Sequence, residues 1–404
     1  MSKKHGNAVI KVLGVGGSGC NAITHMAGNE IEGVEFLSIN TDIQALSNDV
    51  NSTKIQLGDT ITKGLGAGAN PDIGKQAAEA DIEIIKENIK NADMVFITCG
   101  MGGGTGTGAA PVIAKASKDL GILTIGVVTK PFEFEGNKRM KFAEEGILQL
   151  KEHVDSLLVI PNQKLQAVFG EAVNLFDAFG MANEVLNNAV QGISEIITNE
   201  GFINVDFNDV KTVMRSSGTA MMGVGISSND SSNKAEEAAR KAIDCPLLEE
   251  SDISGAQGLI VNISSDGNIG LGEFSLIGNI IKEIAHKDAT IITGTSIDQD
   301  LNGAIKVTII ATGLEQNTKT NLNSSSPVYS KLLTNLGNKI NNRRVELCSE
   351  EIEDKEPDIN AEELENLIID EEDTKKNSSS KSSDKSNSIG SKIKIPDFLK
   401  NGIK

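Results

Sequence analysis

The chain has 404 residues, with 38 Lys and Arg against 56 Asp and Glu, a net charge of −18 and 39% hydrophobic residues. That length suits one large domain or two ordinary ones, and 41 Gly without a strict period beside only 8 Pro exclude a collagen-like or wholly disordered chain. Net acidity and the absence of Trp exclude nucleic acid as the expected partner, since phosphate neutralisation needs a basic face and single-strand readers add aromatic platforms.

No run approaches the ~18 apolar residues of a spanning helix, and MSKKHGNAVI leads directly into a strand-like segment without a signal-peptide core. The expectation is a cytoplasmic protein with no membrane span. Cys20, Cys99, Cys245 and Cys348 form no Cys-x-x-Cys pair and the chain has only four His, so we expect reduced thiols and no metal held by a zinc-type ligand set.

From about 8 to 313, β-branched runs alternate with helical patterns across Gly-rich turns, which predicts an α/β architecture. Strands are expected at Ala8–Val15, Gly33–Asn40, Met94–Thr98, Leu123–Thr129 and Ser156–Pro161. Amphipathic stretches at Ile73–Ile89 and Ala109–Asp119 are long enough for crossover helices, so the sheet should be mostly parallel and Rossmann-like, with ligands outside the strands' carboxyl ends. Leu175–Ile197 reads as one long central helix, about 35 Å at ~1.5 Å per residue. Beyond it, a helix from Asp209 to Met214, strands at Gly223–Ser227, Gly258–Ser264, Thr290–Thr295 and Lys306–Ala311, and helices at Lys234–Ile243 and Gly272–Ala285 describe a smaller α/β C-terminal domain. The expected organisation is a nucleotide-binding domain at 1–174, the helix and its connection at 175–203, and the C-terminal domain at 204–314.

From about Glu315 the composition turns to Asn, Ser, Lys and Glu, too polar to offset ordering entropy. We read 315–391 as a disordered linker with an r.m.s. span of roughly 45–55 Å. Its end is charge-segregated: Glu346–Asp373 holds 14 acids and one base, Thr374–Lys404 eight bases and two acids. The last stretch, 392–404, returns Ile393, Ile395, Phe398 and Leu399 to a basic segment, the pattern of either a frayed end or a docking peptide.

Chemistry concentrates in glycine loops. Gly14-Val-Gly-Gly-Ser-Gly19 lies between a strand and a helix, where glycine lets backbone approach a pyrophosphate; with Asp42 as a ribose-holding acid it would suit a dinucleotide, and by itself it is equally a tight turn. Gly100-Met-Gly-Gly-Gly-Thr-Gly-Thr-Gly108 follows the strand MVFITC and forms an anion nest, with Thr105 and Thr107 adding hydroxyls. Two nests suit a triphosphate better than a dinucleotide. No G-x-x-x-x-G-K-[ST] is present, and neither loop contains Lys or Arg, so backbone dipoles and Mg²⁺ are expected to carry the charge. Gly64-Leu-Gly-Ala-Gly-Ala-Asn70-Pro71 is a further nucleotide-facing loop or a turn before a Pro-started helix.

These residues resemble the tubulin/FtsZ family. GGGTGTG at 102–108 is similar to the family signature, and GLGAGANP at 64–71, TKPFEFEG at 129–136, NVDFNDV at 204–210 and IPDFL at 395–399 are similar to its other blocks, in the same order. The resemblance implies a GTPase that binds GTP and GDP. Gly16, Gly17, Ser18, Gly19, Cys20 and Asn21, with Gly103, Gly104, Thr105, Gly106 and Thr107, would take the phosphates. Ala67, Gly68 and Asn70 would close over the γ-phosphate, Glu135 and Arg139 would hold the ribose, and Phe179 and Asn183 would meet the guanine. From spacing alone Glu135 and Arg139 read as a solvated i,i+4 ion pair, Phe179 as core and Asn183 as surface. Asn204, Asp206 and Asp209 match the family's hydrolysis loop, although Asp206 or Asn208 could equally cap the following helix. The resemblance further implies head-to-tail self-assembly in which this loop completes the next subunit's site, filaments that scaffold the bacterial division site beneath the inner membrane, and membrane-tether and regulator proteins docking on 392–404.

Overall fold

The computed structural model describes residues 8–314 apart from 29–30, 32, 48–51, 170–173, 199–202, 204, 216–217, 230 and 249–254. The expected linker, the terminal docking peptide and Asn204 therefore lie outside the described residues. In chain order the elements are β1 (Ile10–Val15), α1 (Gly16–Gly28), β2 (Val34–Asn40), α2 (Ile43–Ser47), β3 (Thr53–Gln56), α3 (Asp59–Thr62), α4 (Pro71–Ala80), α5 (Ile82–Ile89), β4 (Met94–Gly100), α6 (Thr105–Asp119), β5 (Leu123–Lys130), α7 (Asn137–Lys151), β6 (Ser156–Pro161), α8 (Asn162–Phe169) and α9 (Leu175–Thr198). They continue as α10 (Phe207–Arg215), β7 (Gly218–Ile226), α11 (Lys234–Ile243), β8 (Gly258–Ser265), α12 (Leu271–Ile284), β9 (Thr290–Ile297) and β10 (Lys306–Thr312).

The strands form one ten-stranded sheet in the order β3-β2-β1-β4-β5-β6-β7-β10-β8-β9. Every pairing is parallel except those of β10, which runs antiparallel to both β7 and β8. MVFITC reads as a continuous apolar run because β4 is central and covered on both faces, and all of Met94–Cys99 is buried. One apolar cluster fills the space between α1, α9, α10 and the sheet, a second lies beneath α4–α7, and a third, built on Ala235, Ala238, Ala239 and Ala242 of α11, covers the C-terminal strands.

Several elements differ from the sequence reading, among them β7, which begins at Gly218 and not at Gly223; three of the differences have a local reason. The expected Ile73–Ile89 helix is divided into α4 and α5 at Asp81, whose φ of −110° and ψ of 20° leave the helical region while its carboxylate accepts the Gly58 N–H at 2.6 Å. Helix α6 begins at Thr105 and not at Ala109, so the glycine run supplies its opening turn. Strand β3 is short and polar, with only Ile55 buried, and left no alternating signal to read.

Helix α9 fixes the relation between the two halves. It packs on α1 and β5 on one side and on β8 and β9 on the other, which is why its sequence is apolar around most of its circumference. Its beginning reaches the carboxyl ends of the parallel strands, whereas Thr198 near its end lies against Gly33 at the amino end of β2. At ~1.5 Å per residue the helix spans the depth of the sheet.

Candidate functional site

The strand order reverses between β1 and β4, and in sheets of this kind the crevice at that switch point binds ligands. Here it opens into a cleft of about 460 Å³, within the size range of small-molecule sites. Helices α1, α6 and α8 all begin at its wall, so three sets of unpaired N–H groups and three positive dipole ends converge on one space.

The turn from β1 into α1 puts Gly16, Gly17 and Ser18 on the wall, with Gly16 at a φ of +74° that L side chains rarely adopt. Opposite, Gly103, Gly104, Thr105 and Gly106 form the nest at the head of α6. Thr105 Oγ1 is 2.7 Å from Thr41 Oγ1, and Thr41 O accepts the Thr62 hydroxyl at 3.2 Å and the Gly66 N–H at 3.2 Å. These bonds hold the 64–70 loop over the nest. Ala67 and Gly68 line the cleft, whereas Asn70 turns away and caps α4, its Oδ1 accepting the Asp72 N–H at 3.1 Å.

At the other end, Glu135 and Arg139 share the wall with Phe179 and Asn183. Glu135 accepts from Arg139 at 2.6 Å through one oxygen and from the Phe132 N–H at 2.9 Å through the other. The acid side chain is 14% exposed and Arg139 52%, so this ion pair is built into the cleft. Phe179 meets Phe132 edge-on at 5.5 Å and Phe132 stacks on Phe134 at 5.0 Å, leaving the Phe179 ring 42% exposed beside the cleft.

Gly19, Cys20, Asn21 and Thr107 do not line the cleft. Cys20 is buried beneath the loop, Asn21 is exposed on α1, and Thr107 Oγ1 accepts the Gly102 N–H at 2.8 Å, bracing the nest from behind. Several wall residues were not read as site residues, among them Asn40, Met101, Thr129 and Asn162. Asn162 is the most informative: it is 5% exposed and its Oδ1 has no partner, a costly state that a ligand donor would relieve. Its signal in the sequence was an Asn directly after the β6 strand.

Asp42 also lies on the wall, its Oδ1 accepting the Gln44 N–H at 2.9 Å. It and Glu135 are the carboxylates of the cleft. Among the described residues no group of three His, Cys, Asp or Glu could hold a metal ion, so a cation here would need ligand oxygens.

Asp206 and Asp209 do not line the cleft. Asp206 caps α10, its Oδ1 accepting the Asn208 N–H at 2.9 Å, and both carboxylates are exposed. They follow α9, whose last residue, Thr198, lies against Gly33 at the amino end of β2. Among the described residues no helix is long and apolar enough to cross a membrane.

Comparison with known proteins matches residues 9–170 to the model "Tubulin/FtsZ family, GTPase domain" and residues 218–315 to "FtsZ family, C-terminal domain". The chain is 55% identical over 325 residues to the cell division protein FtsZ of Buchnera aphidicola subsp. Schizaphis graminum, covering 80% of this chain and 84% of that one. It is 56% identical over 307 residues to that of Pseudomonas aeruginosa, covering 76% and 77%. Among solved structures, an empty FtsZ dimer from M. jannaschii superposes with a TM-score of 0.74 at 43% identity, covering 80% of this chain and 96% of that one.

Proposed function

The chain belongs to the FtsZ branch of the tubulin/FtsZ family, and from that premise we propose that its GTPase site is divided between two copies of the chain. It is a GTP-binding, GTP-hydrolysing, filament-forming protein of bacterial cell division. The finer reading is that the phosphates lie against Gly16–Ser18 and Gly103–Gly106, under Ala67 and Gly68. The ribose lies by Glu135 and Arg139, and the guanine lies between Phe179, Asn183 and Asn162.

In this reading the N–H groups at the heads of α1 and α6 offset charge that builds on the phosphate oxygens as water attacks the γ-phosphate. Mg²⁺, when bound, would neutralise phosphate charge, and Asp42 is the residue placed to hold it beside the nests. What the cleft would then lack is a carboxylate free to orient water, since Mg²⁺ would take Asp42 and Glu135 is occupied by Arg139 and Phe132. Asn204, Asp206 and Asp209 of a second copy, stacked head-to-tail, would supply it.

One observation carries this reading: Asp206 and Asp209 lie outside their own chain's cleft, at the far end of a helix that begins in it. A cleft at one end and an acidic loop at the other make a heterologous contact, which repeats without closing and yields filaments. Leu65, 82% exposed on the cleft rim, is the apolar side chain that the next copy would cover. We further propose that 392–404, basic and apolar, docks on membrane-tether and regulator proteins and places the filament at the division site.

The test is GTP turnover per chain across protein concentrations, with Mg²⁺ and with GDP controls. A rate near zero at low concentration that rises past a threshold is expected. A rate per chain independent of concentration would refute the divided site.

A further inference from the structure

A line of polar side chains runs down one face of α9. Asn183, Asn187, Gln191 and Glu195 recur at four-residue steps and so share that face. Asn187 Nδ2 donates to Gln191 Oε1 at 3.2 Å and Gln191 Nε2 donates to Glu195 Oε1 at 2.6 Å. The other oxygen, Oε2, accepts from Asn262 Nδ2 in β8 at 3.0 Å and from Ser296 Oγ in β9 at 2.9 Å. Ser264 Oγ lies 2.8 Å from Ser296 Oγ, within reach of the same hydroxyl. Glu195 is 8% exposed, and no cation contacts it among the described ion pairs.

Three donors, from Gln191, Asn262 and Ser296, converge on one carboxylate, which therefore fixes their orientation and, through Gln191, that of Asn187. Both ends reach functional ground. Asn183, one turn before Asn187, lines the cleft, and Asn187 Oδ1 is buried without a partner. At the other end Thr295, next to Ser296, accepts the Ile203 N–H on its hydroxyl at 3.1 Å and donates its own N–H to Ile203 O at 3.4 Å. Ile203 immediately precedes the Asn204–Asp209 segment. A stability role alone is a weak explanation, because a buried carboxylate without a cation contributes less than an apolar contact of the same volume.

We propose that Glu195 is a positioning residue for GTP hydrolysis: it locks α9 in one register against β8 and β9, so that the base end of the cleft and the 203–209 loop keep a fixed relation. This rests on the divided-site reading for the role of that loop. Glu195→Gln keeps the shape but has one acceptor oxygen where the carboxylate has two, so it cannot accept from Gln191, Asn262 and Ser296 at once; the hold of this end of α9 on β8 and β9 weakens, whereas Phe179 and Asn183, in the first half of the helix, keep their places on the cleft wall.

The experiment measures three quantities in the full chain: affinity for a fluorescent GDP below the assembly threshold, turnover per chain at saturating GTP above it, and thermal unfolding. For Glu195→Gln we expect affinity within about twofold of wild type and turnover about tenfold lower, the coupling of a shared network. Moving the carboxylate across the seam, with Glu195→Gln and Asn262→Asp together, restores an acceptor for the amide and should recover most of that loss. Ser296→Ala removes one donor and should lower turnover about threefold; it serves where the first variant folds poorly. Wild-type turnover in Glu195→Gln, or affinity and turnover falling together with the melting temperature, would overturn the proposal. Concentration-independent turnover in the wild type would instead overturn the divided site, so the two failures are separable.

Discussion

Gly104 is where the nest touches the loop above it, and replacing it by alanine tests whether the two are braced together. A Cβ there would stand 2.9 Å from Ala67 Cβ, 2.9 Å from Asn70 N and 3.2 Å from Ala69 N. None of these atoms is the end of a flexible side chain, so the 64–70 loop must move as a unit. The Gly104 backbone, at φ −80° and ψ −61°, accepts alanine, which by itself stabilises by ~0.4–1 kcal/mol through the unfolded chain. Overpacking of about 1–3 kcal/mol opposes it, leaving a net cost of roughly 1–2 kcal/mol. In the free protein the loop relieves the clash by lifting; a nucleotide that needs the loop closed must pull it back. Binding should weaken about 5- to 30-fold at ~1.36 kcal/mol per tenfold, while the free protein melts close to wild type. Titration with fluorescent GDP and GTP analogues, with melts at and without saturating nucleotide, reads both quantities. Gly103→Ala, whose Cβ meets nothing within 4 Å, should leave the free protein's melt unchanged. Wild-type affinity in Gly104→Ala would mean that the loop does not close against the nest.

Asn162→Ala removes a buried acceptor that has no partner, so it should not lower the melting temperature, yet it should reduce the preference for GTP over ATP about tenfold or more, read by competition binding. Asp209→Ala should still form GTP-dependent filaments by light scattering while turnover falls about 100-fold or more; equal turnover would refute the role of the acidic loop. Burial pushes the Cys99 thiol from 9.0 up to about 12, so the folded chain retains a proton that the unfolded chain releases. That stabilisation is complete below pH ~9 and is lost as pH rises toward ~12, by up to about 1.4 kcal/mol per pH unit. Urea melts of wild type and Cys99→Ala should therefore converge by about 1 kcal/mol between pH ~9 and ~10, where the unfolded thiol passes from half to almost full ionisation.

Periodicity and glycine spacing made the parallel sheet, the α9 spine and both nests legible, because each depends on local pattern: β4 is apolar throughout as a central strand must be, and the nest glycines sit directly after it. Long-range partners left no such trace. Asp81 breaks a helix only because Gly58 presents an N–H to it, and Glu135 and Arg139 look like a solvated pair until Phe132 closes over the acid. Phe179 and Asn183 were assigned by resemblance alone, since a four-residue step cannot say which face of α9 meets a cleft. The same limit hid Gln191 and Glu195, whose partners in β8 and β9 are 67 and 101 residues away from Glu195.

The charge content of the cleft explains why a single chain would bind nucleotide well and hydrolyse it poorly. A triphosphate carries several negative charges, whereas each helix terminus offers about half a positive charge, and Arg139 is the one cationic side chain on the wall among the described residues. Three termini and one Arg leave part of that charge uncompensated, a deficit that the Mg²⁺ proposed beside Asp42 would fill. Binding through backbone N–H groups treats ground state and transition state much alike, and such uniform binding does not raise the chemical rate. In the proposed divided site, a group that meets the γ-phosphate only when a second copy arrives would supply the missing difference and tie turnover to assembly. Rotating the Asp206 and Asp209 loop by a small angle about α9 would then change hydrolysis without changing affinity, and the Glu195 network is positioned to set that angle.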